Sequence, residues 1–405
     1  MTLKIARVDI IPVAFPEPPL RNSWGIHAPY AARTVLRLET DSGLVGYGET
    51  YGDREVIVAL ERLKEKALGE DPFNLERLSL LLGGGGPGAE PGATGSVAAF
   101  AAYETACLDI AGKAIGRPLS HLLGGQVRDR VEFSAYIFFH EEHPEYGRCM
   151  DIPSLIEQGK RFQREYGFRT FKIKGGVLPP GEEVELIAEF RRAFGRSVQL
   201  RLDPNGIWST GTAMRVAKAL EPYDLEYLED PVSGIEGMAQ VARVTATPLA
   251  TNMCVVEFSH IPPAVKAGAV HVILSDHHFW GGLRASKHLA AICKTFRLGL
   301  SMHSNSHLDI SMAAMAHLAA SEPHYTYACD THYPWAGASL LKGGKLRFVD
   351  GCLEVPSGPG LGIEVDEEKL AELHEAYKEH VRGSRDDARA LKERDASWLP
   401  LKPRW

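Results

Sequence analysis

Two lysines, Lys172 and Lys174, stand one residue apart in the run Phe171 to Gly176. In a strand such a pair points to one face, and Phe171 and Ile173 point to the other. Inward-facing ammonium groups repel each other and are desolvated, so each is expected to lower the other's pKa and approach the range of a general base. The plain alternative is an edge strand with both lysines in water. Three further runs carry hard oxygen donors: Leu200 to Gly206 with Asp203, Leu225 to Pro231 with Glu229, and Pro248 to Asn252 with Asn252. The three donors are 26 and 23 residues apart, each gap about one strand-and-helix unit. Singly, each run also fits an ordinary turn with a helix cap. Together behind Lys-x-Lys, they suit a partly open Mg²⁺ site. Glu236 is a second acidic candidate, and Glu229 is preferred because it ends its strand.

Farther along, Asp276 closes the run from His271, and His303 follows Leu300 to Met302. An aspartate on one tip and a histidine on a later one suit a dyad, with the carboxylate orienting the ring and raising its pKa. A zinc pair at His303 and His307 is the rival, but no third soft ligand or H-E-x-x-H accompanies it. His140 to His143 also lacks that spacing and, with Pro144 following, reads as a loop. One divalent cation with Lys and His on either side suits removal of a proton α to a carboxylate, with a base for either epimer. A His opposite the base also suits protonation of a departing β-hydroxyl.

The elements that must hold these residues follow from periodicity. Strands are expected at Lys4 to Phe15, Arg33 to Glu39 and Gly43 to Glu49, with a turn at Thr40 to Gly43 and a long, functional loop from Pro16 to Pro29. Helices are expected from Arg54 to Leu68 and Val97 to Ala114. Between them, Gly83 to Gly95 contains a G-x-G-x-x-G spacing at Gly83, Gly85 and Gly88. Pro87 interrupts it and no strand leads in, so it reads as a linker rather than a dinucleotide loop. From about Val131 to Met302 short apolar strands alternate with helices, which means parallel strands with helical crossovers, closed into a barrel. Barrel chemistry sits at the C-terminal strand ends, where all the residues above fall. A β-like segment after Gly351, a charged helix from Glu367 to Arg382 and a charged tail complete the chain.

Length and composition agree with this division. At 405 residues, the chain matches a barrel of about 250 residues plus a second domain. The expected parts are 1–130 as an α+β capping domain, 131–345 as the barrel and 346–405 as a segment completing the cap. With 44% hydrophobic and 24% charged residues, the chain is neither disordered nor fibrous. A net charge of −7 argues against nucleic acid or anionic membrane as a partner. The six cysteines are scattered without framework spacing, which with the charged N-terminus and the lack of a long apolar run points to a cytoplasmic protein.

The strand-end motifs resemble those of the enolase superfamily and, within it, the glucarate dehydratase group. The likeness is carried by Phe171 to Gly176, Asp203 to Gly206, Glu229 to Pro231, Ala250 to Met253, Asp276 to Trp280 and His303 to Ser311, and extends from about Asn22 to Val365. The resemblance implies a modified (β/α)7β barrel under an α+β cap and often a homo-oligomer. It implies Lys174 as a base with Lys172 stabilising the enediolate, His303 with Asp276 as the opposite acid and base, and Asp203, Glu229 and Asn252 on Mg²⁺. For the substrate it implies Asn22 and His27 in the closing loop, Tyr136, Phe138, Asn205, Ser304, Asn305 and His332. His277, Trp280 to Gly282, Ser96 and the tail after Arg382 depart from the group's pattern and leave the diacid open. The implied activity is dehydration of D-glucarate or L-idarate. Galactarate dehydration, acid-sugar epimerisation and a non-enzymatic sugar-acid binder remain as alternatives.

Overall fold

The computed structural model describes residues 3–27, 29–85, 87 and 94–405. The expected N-terminal strands form an antiparallel sheet of Ile5–Pro16, Tyr30–Thr40 and Val45–Tyr51, with the middle strand paired to both others. Helix Thr94–Ile115 lies on its last strand. Gly46 and Gly48 alternate onto that face, and a Cβ at either would strike the carbonyl oxygens of Ala106 and Ala102, one helical turn apart. Glycine in the strand and alanine in the helix thus set how closely the two layers meet. Helix Arg54–Ala67 agrees with its period, whereas helix Leu75–Leu82 goes beyond what the period shows. Gly83 ends the latter in the left-handed conformation as its C-terminal glycine. Gly88, the last glycine of the linker's spacing, lies outside the described residues.

The barrel consists of eight parallel strands: Arg130–Ile137, Thr170–Lys174, Gln199–Asp203, Tyr227–Glu229, Leu249–Thr251, Val272–Ser275, Gly299–Met302 and Cys329–Thr331. Ladders link the first seven in order, and the eighth returns to pair with the first. Its strands are short and mostly buried on both faces, as a barrel wrapped by helices requires, with charged side chains at their inward positions. Helix Asp309–Ser321 is buried along its whole length, walled in between barrel and cap. No helix among the described residues is long and apolar enough to cross a membrane.

Two stretches that read as loops are strands. Leu20–Asn22 and Gly25–Ile26 pair with each other, and Leu20–Asn22 also pairs with Phe139–His143. His140 to His143 therefore belongs to a small sheet that pins the Pro16 to Pro29 segment to the barrel mouth. Strand Cys352–Glu354 pairs antiparallel with the first barrel strand, so the chain leaves the barrel only after it. Helix Glu367–His380 then packs on the first strand of the cap. Replacing Gly48 with alanine is expected to cost at least about 1–3 kcal/mol through overpacking. It should lower the thermal midpoint measured by calorimetry, whereas Gly43→Ala, on an open turn, should do so only through its positive φ.

Candidate active site

Lys172 and Lys174 both face the barrel interior, buried. The ladder sets Lys174 opposite Asp203 and Lys172 opposite Arg201. Lys174 Nζ donates to Asp203 Oδ2 at 2.5 Å. Lys172 Nζ lies against Glu229 and 2.8 Å from Asp330 Oδ2, which belongs to the last strand. The expected lowering of the Lys172 pKa is therefore overturned. Burial pulls it down, but Asp330, Glu229 and Asp203 outweigh burial and hold it above the ordinary lysine range. Asp330 also accepts from Arg201 Nη1 at 2.8 Å, so this buried carboxylate bridges two cations.

Asp203, Glu229 and Asn252 end three consecutive strands or follow them directly. Asp203 Oδ1 accepts the Asn205 N–H at 2.9 Å. Asn205 takes a left-handed φ of 52°, which brings its side-chain amide back to 3.2 Å from Asp203 Oδ2. Asp230 fixes the third position, accepting from Thr251 Oγ1 at 2.6 Å and the Asn252 N–H at 2.8 Å. Glu229 Oε1 and Asn252 Oδ1 are buried without a hydrogen-bond donor, and Glu229 Oε2 meets only the Lys172 ammonium. Burial, and then Asp203, push the Glu229 pKa well above the usual carboxylate range. Unsatisfied hard oxygens beside a second carboxylate are what a divalent cation neutralises, so the residues fit Mg²⁺.

Asp276 follows the sixth strand. Its Oδ2 lies 3.1 Å from His303 Nδ1 and accepts from Tyr51 Oη at 2.7 Å; its Oδ1 lies 2.6 Å from His278 Nδ1. His303 does not behave as its dyad suggests: burial lowers its pKa more than Asp276 raises it, so the ring is neutral at neutral pH. Asp276 is held ionised, since its histidine partners outweigh burial. An ionised carboxylate only accepts, so His303 carries its proton on Nδ1 and leaves the Nε2 lone pair free. Asp276, His278 and His307 also bring ligand atoms within 4.8 Å of one another. Arg33 Nη2 lies 3.2 Å from His278 Nε2 and disfavours a cation there. His303 is likewise committed to Asp276, against a zinc pair with His307.

A cavity of about 230 Å³ opens over these groups, lined by Lys174, Asn205, Asn252, His303, Ser304 and Asn305, and by Asn22, His27, Tyr136, Phe138 and His332. Lys172, Asp203, Glu229 and Asp276 lie below it. Asn22 spends both ends of its amide on structure: Nδ2 donates to Asp387, and Oδ1 accepts from the Trp24 and Gly25 N–H groups. His27 stacks on His332 with centroids 5.3 Å apart. Burial and Arg385 lower the His27 pKa to about 4, with Glu17 opposing. Tyr136 Oη donates to the Ser304 carbonyl at 3.0 Å, and Phe138 meets the His332 ring edge-on.

Sequence reasoning missed Glu17, Arg385 and Asp387. Glu17 is buried between His27 and His332, with its Oε1 3.3 Å from His332 Nδ1. Arg385, bound through both carboxylate oxygens of Asp387, reaches Asn305 Oδ1 with Nη1 at 3.2 Å. Both tail residues line the cavity. Only the charge of the tail is visible in sequence, and charge alone gives no direction.

Known proteins match along the whole chain. The sequence model described as "Enolase C-terminal domain-like" covers residues 154–369, and the one for "Mandelate racemase / muconate lactonizing enzyme, N-terminal domain" covers 6–124. A "Probable glucarate dehydratase" of Streptomyces coelicolor is 43% identical, over 100% of this chain and 99% of the relative. A D-galactonate dehydratase of Cronobacter sakazakii is 28% identical, over 83% of this chain and 89% of its own. An enolase from Mycobacterium smegmatis, solved with tartrate, superposes with a TM-score of 0.95 at 47% identity, over 100% of this chain and 99% of that one. One from Pseudomonas fluorescens, with bound magnesium, potassium and tartrate, superposes at 0.94 and 42% identity, over 100% of both chains. Replacing Glu229 with glutamine is expected to weaken Mg²⁺ binding, measured by calorimetry, by more than the 10–100-fold typical of outer-shell changes.

Proposed function

The chain belongs to the enolase superfamily and is an enzyme, and from that premise we propose that it is a Mg²⁺-dependent acid-sugar dehydratase acting on D-glucarate and L-idarate. The observation that carries the reading is the arrangement at the barrel mouth. Lys174 on the second strand and His303 after the seventh flank the oxygen trio of the third, fourth and fifth strands. The relatives' names, a probable glucarate dehydratase and a D-galactonate dehydratase, support the reaction class.

A divalent cation on Asp203, Glu229 and Asn252 would supply positive charge to the substrate carboxylate as negative charge develops on it. Lys172, kept protonated by its carboxylates, adds a second positive charge from below. Lys174 takes the α proton (C5 of glucarate) from one face, and neutral His303 takes it from the other through Nε2. With the C–H electron pair in the enediolate, the C4 hydroxyl leaves as water. On the route where His303 has taken the α proton, Nε2 returns that proton to the departing oxygen. On the Lys174 route the proton comes from the His303 ring after solvent has protonated its Nε2. The enol left behind tautomerises to 5-keto-4-deoxy-D-glucarate. Arg385 and Asn305 lie where a second carboxylate would end, which favours a diacid over an aldonate. His27, His332 and Glu17 form the polar wall beside Tyr136 and Phe138. A homo-oligomer is part of the proposal and rests on the family resemblance alone.

Lys174→Ala is expected to abolish keto-acid formation from the epimer whose proton faces it. Retention of turnover on every acid sugar would defeat the reading. Arg385→Met should raise KM for the diacid about 10- to 100-fold, the worth of one hydrogen bond to a charged group, with a smaller effect on a monoacid of the same length. In the pH profile for the epimer that His303 deprotonates, the limb assigned to His303 should fall below the ordinary histidine value of about 6.5. The lowered pKa keeps the ring deprotonated, and the rate is lost only as pH drops through it.

A further inference from the structure

The dyad does not stand alone. Four hydrogen bonds reach Asp276, two on each oxygen, and His307 Nε2 stands 3.6 Å from Oδ2. His303 Nδ1 and Tyr51 Oη share Oδ2, and the His278 backbone N–H at 2.9 Å and ring Nδ1 share Oδ1. Tyr51 ends the third strand of the cap and therefore comes from a different layer of the molecule. Its ring is clamped between Phe279, stacked at 5.0 Å, and the Arg33 guanidinium, 4.4 Å from its centroid. Glu49, two residues earlier on the same face of that strand, binds Arg33 Nε at 2.8 Å. It also accepts the backbone N–H groups of Leu308 and Ser311 at the start of the buried helix, each at 2.9 Å. The strand of the cap is thereby fixed relative to the loop that carries His303.

We propose that Tyr51 and His278 are positioning residues for the His303 base. By holding both oxygens of Asp276, they keep the carboxylate turned so that His303 carries its proton on Nδ1 and presents its Nε2 lone pair to the cavity. The cap then governs chemistry on one face of the substrate only, since Lys174 is anchored on Asp203, remote from Asp276 in the ring of strands. Burial and the neighbouring Asp276 carboxylate raise the Tyr51 pKa far above its ordinary value, so the phenol stays a donor throughout the working range.

The kinetic arm of the test rests on the dehydratase reading. With Mg²⁺-loaded enzyme in deuterium oxide and the epimeric substrate pair, Tyr51→Phe and His278→Leu should slow proton abstraction on the His303 face about 10- to 100-fold. Exchange on the Lys174 face should stay near the wild-type rate. His278→Asn, whose amide can replace the Nδ1 donor, should recover most of the loss. A second arm needs no turnover. Nitrogen-15 imidazole shifts of the Mg²⁺-loaded protein should show His303 as the Nδ1–H tautomer, and as a tautomer mixture in Tyr51→Phe and His278→Leu. Equal slowing on both faces, or an unchanged tautomer in both variants, would overturn the proposal. Should the wild type act on no acid sugar, the dehydratase reading falls, and the tautomer measurement alone decides this one.

Discussion

Burying like charges together is the constraint on which the rest of the molecule depends. Asp203, Glu229 and Asp330 converge at the barrel mouth with no solvent exposure, and such carboxylates ionise only if cations meet them. Lys172 and Lys174 supply part of that charge, and Arg201 supports Asp330 from a layer deeper in the barrel. Glu229 and Asn252 are left with unsatisfied oxygens. The parallel register makes this possible, setting Lys174 beside Asp203 and Lys172 beside Arg201 rather than leaving either lysine to water.

Around that centre the chain divides the work. The barrel's strand ends provide the charged groups that the proposed function sets to work on the α carbon. The segment from Pro16 to Pro29, held by the small sheet with Phe139–His143, brings Glu17 and His27 over the cavity. The tail closes the remaining side: Arg404 donates to the Ser23 carbonyl at 3.0 Å, and Lys402 lies 3.9 Å from the centre of the Trp24 ring. Loop and tail thus hold each other, with the bond from Asn22 to Asp387 at the point of contact. In the proposed reading, specificity resides in that junction and the proton chemistry in the strands.

The strand-end residues are legible in the sequence because a short apolar run ending in a polar residue, repeated at one strand-helix interval, fits little besides the strand tips of a barrel. Period and spacing place Lys172, Lys174, Asp203, Glu229, Asn252, Asp276 and His303 on such tips, and the resemblance gives them roles. Their electrostatics are less legible. Two neighbouring lysines suggest mutual repulsion, but the sequence does not reveal that Asp330, 158 residues away, lies against one of them. The same limit hides Tyr51 and His278, whose value comes from contact across layers. His140 to His143 looks like a loop because polar residues stand beside a proline, while the strand they pair with, Leu20–Asn22, lies far earlier in the chain.

The most direct test of the central claim is a screen of the Mg²⁺-loaded protein against mono- and diacid sugars, with α-keto product trapped by semicarbazide. The account predicts product from D-glucarate and L-idarate and none after chelation. No keto product from any acid sugar, or turnover unchanged by chelation, would contradict it.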